Sequence, residues 1–161
     1  MATKKKKRAP ASAIVNRRAR FDYAISDRDE VMVGLSLTGR EVRAARDGRV
    51  QLKGSFVTIR SGELWLNNAS FSLVLNEKGE DVRTVDTEPR KLLAKRKQID
   101  ELQHQKQTAG MTIVPLRLLT KGRYIKLVIA LGKGKKNYDK RETIKRRDID
   151  REQKRLIAQS S

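Results

Sequence analysis

From residue 32 to residue 131 the chain alternates short apolar runs with polar breaks, and it is polar at both ends. Met32 to Leu37 reads as a strand. Thr38-Gly39-Arg40-Glu41 has the spacing of a capping box, with Thr38 placed to cap and Glu41 to reach back. Val42, Ala44 and Ala45 continue a short helix that Asp47-Gly48 ends. Val50-Gln51-Leu52 opens a further strand set, and Phe56, Ile59, Leu64 and Leu66 flank Ser61-Gly62 as the arms of a hairpin. Ala69 to Leu75 adds a strand, and the polar stretch from Asn76 to Glu88 reads as loops.

A helix is predicted next, capped by Thr87 with Pro89 in its first turn. Leu92, Leu93, Ile99 and Leu102 share one face, and Gly110 lies past the end. Arg90, Lys91, Lys95, Arg96 and Lys97 crowd its N-terminal half, against the helix dipole, which suggests an outside partner for that charge. Met111 to Val114 and Leu116 to Leu119 read as strand around Pro115, which implies an edge or a bulge. Lys121-Gly122 turns the chain, and Tyr124 to Leu131 returns. About six short strands with two inserted helices predict a small, mainly β fold, an antiparallel barrel of the oligonucleotide-binding type. The tail from Tyr138 to Gln159 is rich in helix formers and pairs Glu142 with Arg146, Asp150 with Lys154 and Glu152 with Arg155. Its apolar residues, Ile144, Ile149, Leu156 and Ile157, are too sparse for a continuous stripe, so it is expected to order only on a partner.

Charge changes the picture. The 38 basic residues outnumber the 19 acidic ones, for a formal charge of +19. From Met1 to Arg20 there are 8 basic residues and no acidic ones; from Gly132 onward there are 11 and 5, which leaves the longer middle nearly balanced. A balanced domain with two cationic arms favours a polyanion. The boundaries that follow are a basic flexible arm over 1–13, an RNA-binding barrel with two inserted helices over 14–131, and a basic tail over 132–161. There is no cysteine, which suits a reducing compartment, and no apolar run approaches a membrane span or a secretory signal. A cytoplasmic protein, monomeric and without cofactor or metal, is expected.

Catalytic chemistry is not legible. GKGKKN at 132–137 lacks phosphate-loop spacing, and His104 sits alone on a predicted helix with no orienting partner. Asp29-Glu30 and Glu80-Asp81 fall in polar loops, and Trp65 falls in a strand and reads as core. The chain is not expected to be an enzyme.

GKGKKNYDKRE, from Gly132 to Glu142, is the most informative segment. Lys133, Lys135 and Lys136 are spaced by Gly132 and Gly134 on what reads as a mobile backbone, able to lay charge along phosphates. Tyr138 offers a ring on which a base can stack, beside Asp139, Lys140 and Arg141. At the other end, Asn16-Arg17-Arg18 and Arg20 form an arginine-rich entry to the barrel.

Five segments in order resemble one family. These are NRRARFDY at Asn16 to Tyr23, the run from Gly34 to Asn67 with its SF…I..GE.WL pattern, and PRKLLAKRKQI at Pro89 to Ile99. GMTIVPLRL at Gly110 to Leu118 and LGKGKKNYDKRE at Leu131 to Glu142 complete the match. Together they resemble the SmpB family, the tmRNA-binding proteins of bacterial trans-translation. The resemblance implies a barrel that holds the tRNA-like part of tmRNA. It also implies a tail that enters the vacant mRNA channel and decoding site of a stalled ribosome, against small-subunit ribosomal RNA at the A site. By position, Asn16, Leu93 and Lys126 match the family's tmRNA contacts, and the arginines at 17, 18, 20, 90 and 96, with Lys91, belong to the same expected RNA surface. Lys133, Lys135, Lys136, Tyr138, Asp139, Lys140 and Arg141 match the tail segment nearest the decoding centre. Alanyl-tRNA synthetase and elongation factor Tu are implied as partners of the complex. Three positions depart from the family pattern. Met32 stands where the family carries Glu, with neither Asp29 nor Glu30 in register to replace it. Gly122-Arg123 replaces an Asn-Gly turn, and Leu73-Val74 replaces Pro-Tyr. On composition alone, the competing reading is a structural ribosomal protein with a basic barrel and extended arms.

Overall fold

Leu64 and Leu66 are buried while Glu63, Trp65 and Asn67, which alternate with them, are only half-buried. This two-residue period, one side chain in and the next out, recurs through strands that close on themselves. The computed structural model describes residues 13–26, 28, 30–77, 79–135 and 137–159, with the side chains of 77, 108, 109 and 137–139 outside that description. In chain order the elements are β1 (Ala13–Val15), α1 (Ala19–Asp22), β2 (Tyr23–Ile25), β3 (Val31–Leu35), α2 (Gly39–Arg46), β4 (Val50–Gln51), β5 (Phe56–Arg60), β6 (Glu63–Asn67), β7 (Ser70–Glu77), β8 (Glu80–Asp86), β9 (Arg90–Leu93), α3 (Arg96–Ala109), β10 (Thr112–Leu119), β11 (Lys126–Gly134) and α4 (Asn137–Gln159).

Strands β10, β5, β6, β9, β3 and β11 pair in that order, and β11 pairs back onto β10, which closes an antiparallel barrel of six strands. The expected mainly β barrel is therefore present. Val33, Val57, Leu66, Ile113, Leu118 and Leu127 fill its interior at 2% exposure or less. Strands β1 and β2 lie beyond the closed ring, β1 on the end of β10 and β2 on the end of β11. A second sheet, β4-β7-β8, carries α2 against β7. On the outside of the barrel α1 brings Ala19 onto Val114, Leu116, Val128 and Ala130, a small separate core.

The capping box forms as expected: the Glu41 amide donates to Thr38 Oγ1 at 3.4 Å, and the Thr38 amide donates to Glu41 Oε2 at 2.9 Å. The hairpin at Ser61-Gly62 joins β5 to β6. The ladder between β10 and β11 shifts register between Pro115 and Arg117, the bulge that proline imposes by lacking an N–H donor.

Three expectations are corrected. Asn76 to Glu88 is not loop throughout, because β8 pairs with β7 over its whole length. Its side chains are almost all exposed, so the segment shows no apolar alternation to read. The helix predicted from Thr87 begins only at Arg96, since residues 90–93 form β9 between β6 and β3. Pro89 disfavours helical backbone at Glu88, and in β9 Leu92 turns inward while Leu93 turns outward, a period of two rather than of 3.6. The third correction is at Gly132-Lys133-Gly134, which is the paired end of β11, opposite Ile25, Ala24 and Tyr23, rather than mobile backbone. A Cβ on Gly132 would stand 2.8 Å from that of Tyr23, so this close pairing requires glycine there. The segment after it, expected to become helical on a partner, is α4. The N-terminal arm to Ser12 lies outside the described residues.

Arg90 ties these parts together. It is 5% exposed, its guanidinium lies 3.9 Å from the Phe71 ring centroid, and its Nε donates to Glu41 Oε1 at 3.1 Å. Nη2 stands 3.0 Å from the same oxygen without hydrogen-bond alignment, and 3.5 Å from Asp86 Oδ2. Removing one partner of a buried pair leaves the other charge uncompensated. Arg90→Ala is therefore expected to lower unfolding free energy by about 3–5 kcal/mol, read as a lower urea midpoint. A change below about 1 kcal/mol would deny Arg90 this role.

Candidate nucleic-acid interface

Outward side chains on five adjacent strands form one surface. Leu119 of β10 faces Lys126 of β11, Lys126 faces Gly34 of β3, and Gly34 faces Leu93 of β9; Ala13 of β1 extends the row beyond Leu119. The next row runs Val15, Arg117, Val128 and Met32, with Val128 covered by Ala19 of α1. Val15, Met32 and Leu93 are 58%, 51% and 54% exposed, an unusual amount of wet apolar surface for two neighbouring rows. Lys126 stands exposed in its midst. The centre is flat because Gly34 lacks a side chain: a Cβ there would come 3.2 Å from that of Leu93. Apolar surface for base faces, with a cation among it for phosphate, is what single-stranded or looped RNA uses.

The sequence pointed to Leu93 and Lys126 only through the resemblance, and the register places both on one row across Gly34. Val15 and Leu119 were missed as part of this surface, and Met32 was singled out only as a departure from the family pattern. The available signal was that β1, β10 and β11 are apolar on both faces, more than a barrel interior alone needs. Glu30 and Glu101 line one groove with Met32, and Glu63 lines another. Of these, Glu30 is bound by Arg117, at 2.9 and 3.3 Å, and by Arg20 at 3.4 Å. Asp29 lies outside the described residues.

Asn16 is only 7% exposed. Its amide donates to Leu116 O at 2.8 Å, one step past the Val15–Arg117 pair of β1 and β10, and its Nδ2 donates to Pro115 O at 2.9 Å. Its Oδ1 is buried without a hydrogen-bond partner among the described residues. Asn16 is thus a structural plug that keeps one acceptor in reserve. It lies at a groove of about 590 Å³ lined by Arg17, Arg18, Lys53 and Arg147.

The other expected cations divide by what holds them. Arg17 is exposed; Arg18 pairs with Asp22 at 3.4 Å and covers the Phe21 ring. Arg90 is corrected from an RNA contact to a core residue, because its guanidinium is spent on Glu41, Asp86 and Phe71. Lys91 is on a strand, not a helix, and pairs with Glu63 at 2.8 Å. Arg96 opens α3, a helix with no acid in its first turn, and lies over the Ser61-Gly62 turn within reach of Asp100 at 3.4 Å. Lys133 and Arg141 are exposed, Lys135 is half-buried, and Lys140 reaches Asp22 at 3.3 Å. Lys136 and the side chains of Tyr138 and Asp139 lie outside the described residues.

A closed antiparallel barrel with one wet, apolar, cation-bearing face is a nucleic-acid-binding architecture. The comparisons make this particular: the family model described as SmpB protein matches residues 13–159, and the chain belongs to that family. It is 46% identical over 142 residues to the SsrA-binding protein of Shouchella clausii (strain KSM-K16), covering 88% of each chain. It is 44% identical over the same length to that of Streptococcus suis (strain 98HAH33), covering 88% of this chain and 89% of the relative. A solved structure described as "tmRNA-SmpB: a journey to the center of the bacterial ribosome" superposes with a TM-score of 0.60 at 35% identity, over 79% of this chain and 87% of the other. Among the described residues no helix is long and apolar enough to cross a membrane.

If Lys126 meets a phosphate, Lys126→Ala shortens the log–log salt slope of structured-RNA binding by about 0.7–0.9, the share of one contact. Stability should move by less than about 0.5 kcal/mol, as for other exposed positions. Fluorescence anisotropy across a salt series reads the slope, and an unchanged slope would remove Lys126 from the interface.

Proposed function

We propose that the barrel holds the tRNA-like part of tmRNA on the Val15–Leu93 face, and that the chain delivers this RNA to stalled ribosomes. The observation that carries the reading is the row Leu119–Lys126–Gly34–Leu93, where an exposed lysine lies among apolar residues on a flat sheet. The SsrA-binding name of the relatives and the tmRNA–SmpB ribosome setting of the solved neighbour supply the ligand class. The charge of +19 supplies the long-range attraction.

In this reading the segment beyond Lys135 acts apart from the barrel, and the cations from Lys133 onward serve the ribosome. Lys133, Lys135, Lys136, Lys140 and Arg141 contact small-subunit ribosomal RNA as the tail occupies the vacant mRNA channel. Tyr138 stacks on a base at the decoding site, in place of the missing codon–anticodon helix. The tail is helical there, and ordering it costs entropy that these contacts offset. Alanyl-tRNA synthetase and elongation factor Tu act on the same complex through its RNA. The chain works without catalysis of its own.

Truncation tests the division of labour. The cut belongs after Lys135, because β11 pairs with β2 to Gly134 and the Lys135 amide donates to Asp22 O at 2.9 Å. Such a protein should fold and bind tmRNA like the parent, yet fail to support peptide tagging on a truncated message. Tyr138→Ala should show a milder tagging defect, since one stacking contact is worth about 1–3 kcal/mol. Full tagging by the truncated protein would refute the tail's role, and loss of tmRNA binding would refute the barrel's.

A further inference from the structure

Arg117 is the only charged residue in the row Val15–Arg117–Val128–Met32. It starts on β10, yet its guanidinium meets Glu30, just before β3. The side chain therefore reaches across the outer face of β11, which lies between those strands. There Nη2 donates to Glu30 Oε2 at 2.9 Å and Nη1 to Glu30 Oε1 at 3.3 Å. Two parallel bonds to one carboxylate hold both groups close to one plane. Arg20 of α1 adds a contact on Oε1 at 3.4 Å and braces the carboxylate itself. The cluster stands where the cover of α1 ends: Ala19 seals Val128, whereas Val15 and Met32, at the two ends of the row, are exposed. The Arg117 side chain is 39% exposed, so part of it remains open to a ligand.

We propose that Glu30 holds the Arg117 guanidinium flat, as a platform on which one unpaired base of the bound RNA stacks. A guanidinium offers RNA two things, its charged edge and its face. Here the edge is largely spent on Glu30, and a phosphate drawn to Arg117 would approach that carboxylate and be repelled. A base carries no net charge and meets no such repulsion when it lies over the plane. The row holds no aromatic ring to serve instead, and Val15 and Met32 supply apolar margins for the rim of a base. Clamping the guanidinium in advance removes part of the side-chain entropy that stacking would otherwise cost. Arg117 thus touches the base, and Glu30 is a positioning residue. The proposal rests on the reading of this face as the RNA surface, and it gives the two rows different tasks: Lys126 meets a phosphate, Arg117 a base.

Fluorescence anisotropy of the full-length protein with the tRNA-like part of tmRNA, across a salt series, tests this. Arg117→Lys keeps the charge and can still pair with Glu30, but it has no plane. Its binding should weaken by about five-fold or more, the lower end of one stacking contact, with the salt slope unchanged. Glu30→Gln removes an acid from an RNA surface, which by charge alone strengthens binding. It should instead weaken binding about two- to ten-fold, because one carbonyl cannot hold two guanidinium nitrogens and the side chain must then be ordered on binding. Urea unfolding checks that both variants keep the fold, and Arg117→Lys decides alone if Glu30→Gln does not. Three results each overturn the proposal: Arg117→Lys binding like the parent, Glu30→Gln binding more tightly, or Arg117→Ala shortening the salt slope by about 0.7–0.9, as a lost phosphate contact would. A parent that binds no tmRNA would instead refute the tmRNA reading. The same variants titrated with mixed-sequence single-stranded RNA, whose bases are open, would then decide the role of Arg117.

Discussion

Strand β11 is paired on both sides along nearly its whole length. One edge meets β10 from Lys126 to Gly132; the other meets β3 at Lys126 to Ile129 and β2 at Gly132 to Gly134. A slip of one residue would break ladders on both edges and turn Leu127 and Ile129 out of the core. The register is therefore fixed, and two groups of candidate residues are fixed with it. Lys126 opens the strand on the apolar face, and Lys133 and Lys135 lie at its other end, about 23 Å away or more at about 3.3 Å per residue. The separation between the exposed apolar face and the start of the tail is set by this strand, which is paired on both edges.

Much of the scaffold was legible because its signals are local. The Thr38–Glu41 cap, the Ser61-Gly62 turn and the bulge at Pro115 each depend on residues close in sequence, and all three formed. What stayed hidden depended on distant partners. β9 looked helical because Leu92 and Leu93 fit a helical face with Ile99 and Leu102, and only its pairing with β6 and β3 makes it a strand. β8 offered no alternation because both its faces are wet. At the candidate interface, single residues such as Lys126 could be nominated, but the face could not. It exists only because β1, β10, β11, β3 and β9 come side by side, and their sequence positions run from 13 to 131 and beyond.

Charge shows the same gap between composition and structure. A count of 38 basic residues suggests a surface uniformly ready for RNA. In the fold, Arg90 is buried on Glu41, Arg117 is spent on Glu30, Lys91 pairs with Glu63, and Arg49 donates to Ser72 O and Asp47. The last three pairs are partly exposed and contribute little stability, but all four reduce the cations presented to a phosphate. Arg90 and Lys126 look alike in the sequence. One is a core strut, and the other is exposed on the flat face.

The barrel and the tail solve opposite problems. The barrel has more apolar surface than it can bury, and the surplus at Val15, Met32 and Leu93 remains wet until a ligand covers it. The tail has too little: Ile144, Ile149, Leu156 and Ile157 are all exposed and cannot build a core. A helix with so little packing is marginal in water, because nucleation is unfavourable and propagation returns little per residue. Anchoring its first turn removes much of that difficulty, since the costly nucleus is then supplied by folded neighbours. The contacts of Lys135 and Lys140 with Asp22, and of Arg147 with Phe21, lie where a nucleus is most effective, at the root. The remaining turns can then extend from a formed end, with their cations and exposed apolar residues left for a partner to engage.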